Sequence, residues 1–168
     1  MTVNTLKVTD EIKPTIGLNP QERENIVKPL SIHLATTYTL YLKTLYYHWN
    51  VTGPNFKSLH ELFEEHYENL HEAGDDIAER IRALGFMTPG TIREFQELTS
   101  IDEDEKLPES WQEMVVNLIA GNEAASNCAR KVQEIAQEYG DEVTADLMIE
   151  RMKFHDEAAW MLRSSVEG

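Results

Sequence analysis

The chain has 168 residues, enough for one domain with its own core, and 41% hydrophobic with 27% charged content is ordinary for a globular protein. No apolar run reaches the roughly 20 residues of a membrane span, no basic-then-apolar leader is visible, and a single cysteine, Cys128, excludes an intrachain disulfide. The net charge of −15 repels phosphate backbones and favours cations, while the missing span, missing leader and single cysteine give the expectation of a cytoplasmic protein with no membrane partner.

Residues 1–18 mix polarities without a sustained period and read as an extended arm ahead of a domain over residues 19–168. Asn19-Pro20-Gln21-Glu22 is a helix start, with an Asn cap, Pro at the first helical position and an acid in the first turn. Ile26, Leu30, Leu34, Tyr38, Tyr41 and Leu45 then recur every three to four residues, predicting a helix to about Asn50 that Pro29 kinks. Thr52-Gly53-Pro54-Asn55 is a turn. A second helix is predicted from Phe56 to Leu84, with Ser58 and Glu61 offering a capping box and Gly85 a stop. The connection from Phe86 to Pro108 holds Pro89, Gly90 and the acids Asp102 to Glu105, with a short helix over Thr91 to Leu98. Further helices are predicted from Glu109 to Tyr139, closed by Gly140, and from Val143 to Arg163. No strand-like alternation and no internal repeat is found. The expected fold is therefore all-α: a ferritin-like four-helix bundle whose long crossover, between helices 2 and 3, carries a short helix.

Ligand chemistry concentrates at the junction of the first two helices. His48 lies in Tyr47-His48-Trp49-Asn50 and His60 in Ser58-Leu59-His60-Glu61, on successive helices. Asp75 and Glu79 are four apart and share one helix face. Neutral imidazole plus carboxylate suits iron, manganese or zinc. His71 has the same four-residue spacing to Asp75, a position for a further ligand or an entry site; for His71 and His66 the plainer reading is a solvated or interfacial histidine. His33 and His155 follow no ligand spacing and read as structural. Cys128, amid Ala, Ser and Asn, reads as a packed thiol.

The stretch from Tyr47 to Glu61, with Asp75-Asp76-Ile77-Ala78-Glu79-Arg80-Ile81 and Gly140-Asp141-Glu142-Val143-Thr144-Ala145-Asp146, resembles the Dps mini-ferritins, the DNA-binding proteins from starved cells. The likeness covers about residues 20–165. It implies a hollow homo-dodecamer that binds Fe(II), oxidises it with hydrogen peroxide in preference to oxygen, and stores ferric mineral against oxidative stress. It implies a di-iron ferroxidase site between two subunits, His48 and His60 from one and Asp75 and Glu79 from the other, in which zinc or manganese can replace iron. By the same likeness Trp49 and Glu64 flank the ligands. Asp141, Glu142 and Asp146 would line iron-entry pores, with Gln137 neutral where some relatives are acidic.

DNA-binding relatives carry lysine-rich arms or basic tails. Here Lys7 and Lys13 are offset by Asp10 and Glu11, the C-terminus has no lysine, and twelve copies would carry roughly −180. No DNA-binding residues are expected. A nucleoid-compacting protein and a zinc- or manganese-buffering shell without ferroxidase turnover are the alternatives.

Overall fold

The structure, a computed structural model, describes residues 14–166, so most of the predicted arm lies outside the described residues. Pro14 to Leu18 are not helical, and the chain then enters five helices: α1 (Pro20–Asn50), α2 (Phe56–Ala83), α3 (Ile92–Leu98), α4 (Trp111–Glu138) and α5 (Glu142–Ser164). Helices α1 and α2 form one antiparallel pair and α4 and α5 the other, with α1 packed on α4 and α2 on α5. The crossover carries α3 against α1, giving the expected four-helix bundle with a long connection.

The helix ends follow local chemistry. The Asn19 side chain accepts from the backbone N–H groups of Gln21 and Glu22, while Glu22 reaches back to the Asn19 N–H, a complete capping box. Pro29 is accommodated in α1, which runs uninterrupted as one helix from Pro20 to Asn50. Thr91 and Glu94 form a second capping box at α3. The box expected at Ser58 and Glu61 does not form. The turn ends one residue before Phe56, so Ser58 lies inside α2 and bonds the Asn55 carbonyl, while Glu61 faces Lys57. Gly85 (φ +92°) and Gly140 (φ +71°) take the left-handed conformation just past α2 and α4, where a Cβ would be strained.

The core divides in two. Ile26, Val27, Leu30, Ile77, Ile81, Val132 and Met148 fill one end, and Leu40, Tyr47, Leu59, Phe63, Leu118 and Leu162 the other. Between them lies a polar layer to which every long helix contributes: His33 from α1, His66 from α2, Asn122 from α4, Arg151 and His155 from α5, all buried. His155 Nδ1 donates to Asn122 Oδ1 at 2.9 Å, and Arg151 Nη1 donates to Asn69 Oδ1 at 2.9 Å. Both nitrogens of His33 and of His66 have no protein partner among the described residues. His66 is therefore an interior residue, against the expectation of a solvated or interfacial one, because its position on α2 faces Phe154 of α5 at 5.8 Å.

Candidate metal centre

His48, in the last turn of α1, and His60, in the second turn of α2, are brought together by the short turn between them. Their rings stack with centroids 3.8 Å apart and planes 19° from parallel. Each Nδ1 bonds the other residue's backbone carbonyl, at 2.9 Å from His48 to His60 and 3.0 Å from His60 to His48. A carbonyl oxygen only accepts, so each Nδ1 donates and Nε2 is the ring nitrogen left for a ligand. Backbone carbonyls are common partners for the non-ligating nitrogen of metal-bound histidine. Tyr67 packs edge-on to His48 at 5.1 Å, and Phe56 leans on His60 at 5.1 Å. The Tyr67 hydroxyl donates to Glu64 at 3.5 Å, which sets Glu64 beside the pair, and Trp49 is exposed next to it in sequence.

Asp75 and Glu79 lie on the exposed face of α2, flanking the buried Ile77. Fifteen residues separate His60 from Asp75, about 22 Å of helix. The chain thus brings the two histidines together and the two carboxylates together, but holds the pairs apart. Among the described residues no three His, Cys, Asp or Glu side chains gather closely enough to hold one metal ion. His71 is exposed and shares a shallow groove with Tyr38, Glu72, Asp75 and Asp76. Sequence reasoning passed over Tyr67; its place one turn before His71 and next to a glutamate was the available signal.

The three acids at the start of α5 divide. Asp141 caps the helix, accepting from the Thr144 N–H at 3.1 Å, and takes Arg80 Nη2 at 2.7 Å while 4% exposed. Arg80 Nε also donates to Thr144 Oγ1 at 2.8 Å. Asp141 is therefore buried against Arg80 of α2. Glu142 and Asp146 are exposed.

A four-helix bundle with a helix-bearing crossover is ferritin-like architecture, and the ferritin-like domain family matches residues 27–167. An uncharacterized low temperature-induced protein of Nostoc is 42% identical, over 91% of this chain and 86% of that one. DNA protection during starvation protein 2 of Bacillus anthracis is 36% identical, over 84% and 96%. The crystal structure of a Dps protein from Vibrio cholerae, described as a member of a broad superfamily of ferritin-like diiron-carboxylate proteins, superposes with a TM-score of 0.87 at 28% identity, covering 92% and 97%. The chain belongs to the Dps family of ferritin-like proteins.

Proposed function

We propose that this chain is a Dps-type iron store that oxidises Fe(II), preferably with hydrogen peroxide, at centres shared by two copies. The observation that carries the reading is the His48–His60 pair: two imidazoles held by each other's carbonyls, with no hydrogen bond to either Nε2 among the described residues, and with Asp75 about 22 Å further along α2 on the same chain. Two copies related by a two-fold axis near residues 67 and 68 of α2 run antiparallel, which sets His60 of one opposite Asp75 of the other. Each pair of chains then builds two identical centres. His48 and His60 would supply nitrogen, and Asp75 and Glu79 oxygen, to the ferrous substrate.

The chemistry follows from the donors. Hard carboxylates favour Fe(III) over Fe(II), so they draw ferrous substrate toward oxidation. Two adjacent ferrous ions deliver both electrons to one peroxide, and no hydroxyl radical escapes. The ferric product collects on acidic groups inside a closed homo-oligomer, a dodecamer by family likeness. Glu142 and Asp146 line the openings through which ferrous ions enter, with Asp141 as the cap behind them. Protection is chemical: a net charge of −15 per chain opposes binding to a polyanion. Metal-free protein is expected to leave DNA unshifted on a gel at physiological salt.

The test is anaerobic ferrous loading followed by peroxide or air, tracking ferric absorbance and residual Fe(II). Rapid oxidation at two irons per peroxide and slow oxidation with air is the expected result. Tight binding with no oxidation would reassign the shell to zinc or manganese buffering, since the same donors accept those ions.

A further inference from the structure

An aromatic ladder runs along the seam between α1 and α2. Its first rung is His48 against Tyr67, with ring centroids 5.1 Å apart. Tyr67 meets Tyr41 at 6.2 Å, and Tyr41 meets Tyr38 at 6.4 Å. Tyr38 stacks on Phe95 of α3 at 4.9 Å and lines the groove that holds Asp75. The ladder therefore starts at the histidine half of the proposed metal set and ends at its carboxylate half, on one chain.

The phenols are more than filler. Tyr47, off the ladder, shows what a structural tyrosine does here: its hydroxyl bonds Asp104 and accepts from Asn117 at 3.1 Å. Among the described residues no hydrogen bond holds the hydroxyl of Tyr38 or Tyr41, and that of Tyr67 makes one long contact to Glu64. Phenylalanine would pack the same seam. A hydroxyl adds what phenylalanine lacks, a ring that gives up one electron and one proton at moderate potential.

We propose that Tyr67, Tyr41 and Tyr38 couple the two metal centres of a two-fold pair, so that peroxide reduced at one centre takes its second electron from a ferrous ion at the other. The proposal rests on the shared-site reading above. It matters when a centre holds one iron rather than two. A lone ferrous ion and peroxide give Fe(III), hydroxide and hydroxyl radical. The radical takes a hydrogen atom from Tyr67, giving water and a phenoxyl radical. That vacancy passes to Tyr41 and then Tyr38, each tyrosine losing an electron and a proton as its predecessor regains them. The ferrous ion beside Asp75 fills the vacancy at Tyr38, which takes back one proton. In sum two ferrous ions, one peroxide and one proton give two ferric ions, one hydroxide and one water.

The experiment is rapid-freeze electron paramagnetic resonance with a spin trap, on assembled protein carrying one ferrous ion per chain and one peroxide per two chains. Wild-type protein is expected to show a tyrosyl signal that decays as the second ferric ion forms, with little hydroxyl adduct. Tyr41→Phe breaks the ladder at its middle rung: the tyrosyl signal persists, hydroxyl adduct rises and ferric yield falls from two toward one per peroxide. Tyr46→Phe, off the ladder, behaves as wild type. No tyrosyl signal in wild type, or identical traces for wild type and Tyr41→Phe, overturns the coupling. Absence of oxidation even at two ferrous ions per chain overturns the shared-site reading instead, and the coupling falls with it.

Discussion

Gly74 of α2 and Tyr38 of α1 are in direct apposition: a Cβ built on Gly74 would lie 2.9 Å from both Cε2 and Cζ of the Tyr38 ring. Phe95 covers Tyr38 at an interplanar angle of 9°, so the ring is held between α3 and a glycine in the middle of a helix. Replacing that glycine with alanine gains about 1 kcal/mol of helix propensity. Overpacking costs about 1–3 kcal/mol. For Gly74→Ala we expect a net loss near 1 kcal/mol, a fall in Tm of roughly 2–4 °C for a chain of this size. A rise in Tm would mean that Tyr38 leaves its seat freely.

The stacked histidines are expected to bind before any oxidation occurs. His60→Ala removes one proposed ligand and the ring stacked on His48, leaving the core untouched because His60 is only partly buried. Anaerobic calorimetry with Fe(II) should show at least a tenfold loss of affinity in a protein that still assembles, in line with the effects of disturbing metal-ligating histidines. Unchanged affinity would remove His60 from the centre.

Much of this was legible in the residues. The caps at Asn19 and Gly85 are local, and so is the pairing of Asp75 with Glu79, since four residues on a helix fix a face. The likeness that joins His48, His60, Asp75 and Glu79 follows from spacing. What escaped depends on distant partners. Ser58 and Glu61 match the capping pattern, but the turn ahead of Phe56 decides where α2 begins. Asp141 at a helix start reads as a pore acid with a cap as the plainer alternative, and its pairing with Arg80, 61 residues away, is invisible until the fold brings them together. His33 and His155, read as structural, are buried, whereas His66 sits on a helix face that period makes interior although histidine is seldom assigned to a core on sequence alone.

Those three histidines make stability depend on pH. Burial pushes His33 down to about 3 and His66 to about 4, with the Arg151 charge also acting on His33. Burial, then Arg151 and the other two imidazoles, holds His155 well below its ordinary value. In the unfolded chain all three take up protons near pH 6.5; in the fold they resist. The unfolded state thus binds more protons below pH 6.5, and stability is full above that value and lost as pH falls toward 4. The slope is about 1.4 kcal/mol per pH unit for each imidazole. Urea unfolding from pH 7.5 to 5 should show this decline, and His33→Leu should make it shallower. An unchanged slope in His33→Leu would contradict the assignment.

The acids at the start of α5 are expected to separate by phenotype. Asp141→Ala removes the α5 cap and leaves Arg80 without its carboxylate, a loss of roughly 2–4 kcal/mol by thermal or urea unfolding. Asp146→Asn and Glu142→Gln change exposed groups and should stay within about 0.5 kcal/mol of wild type. They should instead slow ferrous uptake into the assembled shell in stopped-flow measurements. Uptake at the wild-type rate would take these two acids out of the entry path.

The central claim is that no chain holds a whole centre, and mixing subunits tests it most directly. A His48→Ala, His60→Ala chain and an Asp75→Asn, Glu79→Gln chain are each expected to assemble without ferroxidase activity. When the two are unfolded together and reassembled, every mixed pair has one centre with both defects and one with neither. Ferrous oxidation by peroxide should then reappear in the mixed shells, at about one intact centre per mixed pair. Shells that stay inactive although both chains are present, or single-chain shells that oxidise iron unaided, would contradict a centre shared between two copies.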